Sequence, residues 1–226
     1  METAQGFADA DSAAAFLKIG VGSLAKVLPP YSYFMNFAYP LIKAAPWQVT
    51  TGPLWIEFTQ QHTVGRLGYI YTKRVELDPH APVIRITHHL TNQGDSLLAT
   101  EHYCHNFIRI DDADAGPDYR IVFPYTPQIS EETHKNFEGF AQFKDSVLTL
   151  LAPLENKTLW TQLPAQPGKT LINGFVVENV RTGARIEIRG DHVPTKFNFY
   201  AARRALCPEP FVKFNLKKGE KASWVT

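Results

Sequence analysis

The chain has 226 residues, 44% of them hydrophobic and 12% aromatic, enough to bury one substantial core. Lysine plus arginine number 23 against 22 acidic residues, with the signs interspersed, so the formal charge of +1 calls for neither nucleic acid nor an anionic membrane as partner. Two cysteines, Cys104 and Cys207, are too few for a disulfide framework, and no apolar run approaches the roughly 20 residues of a membrane helix.

The start of the chain, Met1 to Ala15, is acidic and alanine-rich, without the basic residues and apolar run of a signal peptide, which points to a soluble, cytoplasmic protein. A short helix is expected around Ala13 to Lys18, ended by Gly20 and Gly22. Pro29-Pro30 and the aromatic run from Tyr31 to Tyr39 suggest an irregular stretch closed by Pro40. Strand then follows strand. Trp55 to Gln60, Tyr69 to Leu77, Val83 to Asn92, Leu97 to Asp111 and Tyr119 to Tyr125 favour β-branched and aromatic residues, with Gly, Pro, Asn and Asp between them.

Ser130 to Lys144, polar with scattered aromatics, reads as a long loop. Val147 to Ala152 and Thr158 to Leu163 continue the strand series. Phe175 to Arg189 reads as a hairpin turning at Thr182-Gly183, because glycine tolerates the positive φ of a tight turn. Lys196 to Tyr200 and Phe211 to Leu216 alternate as strands do. Many short strands separated by turns mean a sandwich or a barrel.

The densest chemistry lies in Thr100 to Asp111. Alternation puts His102, Cys104 and Asn106 on one face, and Glu101, Tyr103, His105, Phe107 and Arg109 on the other. His102 and His105 therefore share a face only if a bulge intervenes. His102 with Asn106 could present an acid and a hydrogen-bond partner to a sugar; either histidine could equally pack in the sheet with its nitrogens satisfied. His88, His89, His102 and His105 alternate faces and have no carboxylate or cysteine at recognised ligand spacing, so no metal is expected. In Leu206-Cys-Pro-Glu-Pro-Phe, Glu209 is held between two prolines on a stiff backbone, as a base or as an ordinary solvated glutamate. Tyr69, Tyr71 and Lys73 share a face, with Arg74 beside them, which suits a sugar ring or an anionic sugar as well as it suits a solvated strand.

These residues have a familiar order. Thr100 to Asp111, then Gly116-Pro-Asp-Tyr119 and Phe123-Pro-Tyr125, resembles the galactose mutarotase-like (aldose 1-epimerase) superfamily, in particular a bacterial branch with a Tyr-x-His-Asn-Phe strand. Phe16-Leu-Lys-Ile-Gly-Val-Gly-Ser-Leu near the start, Cys207-Pro-Glu-Pro-Phe, Lys218-Gly-Glu220 and Trp224 add to the likeness. The resemblance implies an all-β fold, a large antiparallel β-sandwich forming a single domain over residues 1–226 with a sugar site on one sheet. The chain is short for that fold, as for a sandwich lacking its first strands.

The resemblance also implies catalytic residues: His102, in a His-x-x-x-Asn strand with Asn106, or the competing His105 as acid, and Glu209 as base. Tyr103, Tyr71, Lys73 and Arg74 are candidates for substrate binding. Anomer exchange needs a proton taken from the C1 hydroxyl and one given to the ring oxygen, with neither metal nor nucleotide cofactor. The imidazole and the carboxylate are expected about a sugar ring apart. The family's His-Gly-Gly-like segment and its Gly-x-Asp-His segment have no counterpart here. A non-catalytic sugar-binding domain is the alternative, and a lyase or epimerase of sugar acids, using Lys73 or Arg74, is a third reading.

Overall fold

The computed structural model describes residues 3–164 and 172–226. It is all-β and antiparallel, with one short helix among the described residues. Two compact units are resolved, residues 1–102 with 213–226, and residues 103–212.

The first unit holds a four-stranded sheet in the order Ala4–Gln5, Ala15–Lys18, Gly22–Ala25, Leu41–Ala44. Its five-stranded sheet runs Lys221–Val225, Ile84–Asn92, Leu67–Leu77, Trp55–Val64, Trp47–Gly52. Polar side chains join the two sheets. Gln60 donates to the Ala45 carbonyl at 2.7 Å and accepts from the Gly20 amide at 3.0 Å and from the Tyr69 hydroxyl. Phe16, Leu17, Tyr69 and Leu90 are fully buried around them.

The helix expected near Ala13 to Lys18 is a strand, and the reason is local. Gly20 and Gly22, both at positive φ, turn Ala15–Lys18 back onto Gly22–Ala25 instead of ending a helix. A Cβ at Gly22 would lie 2.2 Å from the Lys43 carbonyl oxygen, so the glycine also lets the next strand approach. A helix of so few residues has little to offset its nucleation cost.

The second unit is itself a sandwich. One sheet runs Ala141–Lys144, Val147–Leu150, Tyr119–Val122, Gly174–Asn179, Arg185–Arg189; the other contains Leu159–Pro164, Lys196–Ala202 and Ala205–Leu216, the last strand running on into the first unit. Ile121, Leu148 and Val177 of one sheet and Leu159, Phe197, Phe199 and Leu206 of the other share one buried core. Phe197 meets Phe123 and Phe175 edge-on, with ring centroids 5.6 and 5.9 Å apart. Each such buried ring contributes about 1.5–3 kcal/mol of burial free energy. The expected hairpin is present, with Glu178 paired to Arg185 and Gly183 at φ 75°.

Ser130 to Lys144 is not a loop. Ser130 caps the helix Glu131–Phe137 by accepting from the Thr133 amide at 3.1 Å, two glutamates fill the first turn, and Thr133 and Phe137 bury one face. Ala141–Lys144 then forms a strand. The run Leu97 to Asp111 is also not one strand: Leu98–His102 ends early, and only Ile108 bridges back, exchanging backbone hydrogen bonds with Leu206 at 2.9 and 3.0 Å.

Pro208 and Pro210 explain the break. If that antiparallel register continued, Asn106 would fall opposite Pro208 and Cys104 opposite Pro210, and neither proline has an N–H to offer on that edge. The proline-flanked segment is thus not a connection but the middle of the strand Ala205–Leu216.

Candidate functional site

Alternation sorts the second unit's sheet of Leu159–Pro164, Lys196–Ala202 and Ala205–Leu216 into two faces. Leu159, Phe197, Phe199, Ala201 and Leu206 face the core. The residues between them face the other way, and the pairing lines them up in rows. Gln162 lies opposite Asn198, and Asn198 opposite Glu209; Trp160 lies opposite Tyr200, and Tyr200 opposite Cys207; Lys196 lies opposite Phe211.

The irregular segment Tyr103 to Phe107 extends these rows without joining the ladder. Tyr103 stacks on Phe211 with centroids 4.3 Å apart. His105 Nδ1 lies 2.8 Å from Glu209 Oε1 and 2.6 Å from Cys207 Sγ, and the Cys207 thiol donates to Glu209 Oε1 at 3.3 Å. The imidazole also stacks on Phe107 at 4.3 Å and meets Tyr200 edge-on at 6.2 Å.

The face is therefore a polar middle row flanked by aromatic rings. The His105 side chain is 43% exposed, that of Glu209 beneath it only 7%, and Trp160 is half exposed. Burial, reinforced by the Glu209 charge, pushes the Cys207 thiol well above its ordinary range, which keeps it protonated. Asn198 Oδ1, in the row beside Glu209, is buried and accepts no hydrogen bond among the described residues. Lys196 holds its ammonium 4.5 Å above the Phe211 ring.

The other residues singled out from the sequence have different surroundings. His102 belongs to the first unit, where its Nδ1 accepts from Trp224 Nε1 at 3.1 Å and its ring lies 4.6 Å from that of His88. Burial first, then His88 and Lys73, push its pKa down to about 2, so it stays neutral near pH 7 and lacks the imidazolium proton that an acid catalyst gives. Tyr71 is buried too and shares a hydrogen bond of 2.8 Å with His88 Nδ1. Arg74 stacks on Trp55 at 3.9 Å and pairs with Glu76 at 3.1 Å and Glu57 at 3.7 Å, while Lys73 is half-buried in the same strand. Asn106 is half-buried, one residue beyond His105.

His105 and Glu209 are thus brought together, in direct contact rather than a sugar ring apart, with Tyr103 on the neighbouring row. Cys207, Trp160, Tyr200, Asn198 and Gln162 join them, and the sequence reading had not singled these out. Their parity was available: Trp160 and Gln162, and Asn198 and Tyr200, alternate with the apolar residues that form the core.

The architecture is a β-sandwich of the galactose mutarotase-like fold. A protein from Synechocystis sp. PCC 6803 superposes with a TM-score of 0.56 at 15% identity, over 80% of this chain and 64% of its own length. A galactose mutarotase-like protein from Clostridium acetobutylicum gives 0.57 at 13% identity, over 92% and 73%. A galactose mutarotase related enzyme from Lactobacillus acidophilus gives 0.53 at 11% identity, over 81% and 71%. At these identities the likeness is one of fold, and the chain spans less than two thirds of the Synechocystis protein. No family model matches the sequence, and no curated protein does. No described helix is long and apolar enough to cross a membrane.

Proposed function

We propose that the aromatic-flanked face of the second unit binds a small-molecule sugar and that Glu209 and His105 interconvert its anomers. The observation that carries this reading is the 2.8 Å contact between His105 Nδ1 and Glu209 Oε1, set in a row with Asn198 and Gln162 and bordered by Trp160 and Tyr200. Rings of this kind suit the apolar faces of a pyranose, and the open acceptor on Asn198 suits a hydroxyl. The fold shared with a galactose mutarotase related enzyme supports the same substrate class.

The chemistry fits a touching pair. The anomeric hydroxyl and the ring oxygen are both bonded to C1, so the groups that serve them must be near each other. The Glu209 carboxylate takes the proton of the C1 hydroxyl while the His105 imidazolium gives one to the ring oxygen. The bond from C1 to the ring oxygen breaks and a carbonyl forms at C1. After rotation about C1–C2 the two transfers run backwards, and the pair returns to its starting protonation. Burial of Glu209 under the imidazole limits competition from water for its oxygens.

Polarimetry on freshly dissolved α-glucose and α-galactose tests this. Acceleration over buffer at micromolar protein is expected, and its absence for every aldose tried overturns the catalytic reading. One observation favours a second reading, a binding module: the 7% exposure of the Glu209 side chain leaves little of it within a ligand's reach. Sugar binding without acceleration selects that reading.

A further inference from the structure

We infer that His105, Cys207 and Glu209 form a site for a thiophilic divalent cation, zinc above all. An imidazole nitrogen, a thiol sulfur and a carboxylate oxygen converge from two segments with separations of 2.6, 2.8 and 3.3 Å. Cys207 and Glu209, two apart in one strand, project from the same face, and His105 closes the triangle from outside. These are the three donor types that zinc takes, and three protein ligands with one open position is the arrangement of zinc sites that bind an exogenous fourth ligand. The fourth position here is the solvent side, where the His105 ring is 43% exposed.

Hydrogen bonding alone leaves this cluster crowded. The thiol hydrogen is directed at Glu209, and one Nδ1 sits within 2.8 Å of both sulfur and carboxylate oxygen. One ring nitrogen carries at most one proton, so it cannot serve both neighbours well. A cation at the centre uses all three lone pairs. With bonds of about 2.3 Å to sulfur and about 2.0 Å to nitrogen, tetrahedral ligation separates those atoms by roughly 3.5 Å. His105 must then swing outward by roughly 1 Å, a movement open to a side chain on an irregular, solvent-facing segment. Binding releases the Cys207 proton to solvent, so the sulfur ligates as thiolate.

Zinc and the acid–base pair use the same atoms and exclude each other, since an imidazolium has no lone pair for a metal. Zinc is therefore expected to inhibit any anomer exchange. Its binding is read without sugar, so failure of either reading leaves the other to be judged by itself. The full chain is stripped with chelator, then titrated with zinc chloride by calorimetry and with cobalt chloride by absorption spectroscopy. One equivalent is expected, with a thiolate-to-cobalt charge-transfer band and the d–d bands of a tetrahedral ion. Cys207→Ser should abolish the charge-transfer band, and His105→Ala should weaken zinc roughly 10–100-fold. Cys104→Ser should leave both intact. Since the His105 ring is substantially exposed, His105→Ala removes the ligand without opening the core. A charge-transfer band missing at saturating cobalt, or one that depends on Cys104 rather than Cys207, overturns the site, as does unchanged zinc affinity in His105→Ala.

Discussion

His105 stands opposite Glu209 by register. With Ile108 bridged to Leu206, each step back along one segment matches a step forward along the other, and the third step sets the imidazole 2.8 Å from the carboxylate. The fifth step sets Tyr103 on Phe211, where the two rings stack. Side-chain contacts therefore persist across an edge on which Pro208 and Pro210 withhold the backbone donors.

If that pair carries anomer exchange, Glu209→Gln and His105→Ala should each lower the polarimetric rate by roughly 10²–10⁴-fold, the usual worth of a positioned acid or base. Their effects should be far from additive, because the two groups act in one step. The double variant measured beside the singles checks this. Rates that stay at the unmodified level in both single variants place the chemistry elsewhere.

Much of the fold was legible because its signals are local. The strands from Trp55 to Asn92 and the Thr182-Gly183 hairpin follow from alternation and turn chemistry, and they lie close to where the sequence puts them. The failures have physical causes. Gly20 and Gly22 signal a turn as readily as a helix end, and only the partner strand Gly22–Ala25 decides between them. Ser130 to Lys144 reads as a loop from its polarity alone; the Ser130 cap and its two glutamates are the local signal for a helix of only 7 residues, too short for its periodicity to stand out. Pro208 and Pro210 read as a break in their own strand, whereas they interrupt its neighbour. That inversion also hid the site, since strand parity would have placed Cys207, Glu209 and Phe211 on one face and left Leu206 in the core.

The second unit's sheet that carries His105's partner Glu209 offers a comparison between adjacent strands. Phe199 is fully buried in the core, and Trp160, one strand over and on the opposite face, is half exposed. Phe199→Ala should cost about 3–5 kcal/mol in urea unfolding, through lost burial and the cavity left behind.

Trp160→Ala should do the reverse. Half exposed and on the face turned from the core, it should change stability far less than Phe199→Ala does, by about 0.5 kcal/mol. As a flanking ring it should weaken sugar binding by roughly two- to tenfold, the worth of one aromatic contact. Calorimetry with the best-bound sugar decides, and unchanged affinity would remove Trp160 from the site.

His102 makes stability depend on pH in a direction that its burial fixes. Its pKa is about 2 in the folded chain and 6.5 in an ordinary setting. Between those values the unfolded chain binds a proton there and the folded chain does not, so unfolding takes up a proton and stability falls as pH falls below about 6.5. Each pH unit in that window costs about 1.4 kcal/mol, or on the order of 2–3 kcal/mol by pH 4.5. Carboxylates add their own dependence lower down, so the clearest range is pH 6.5 to 5. There, urea unfolding of the natural chain should show a slope close to one proton steeper than that of His102→Gln, whatever the variant's absolute stability. Equal slopes would mean that the imidazole protonates in place, and that the contact with Trp224 Nε1 does not hold it neutral.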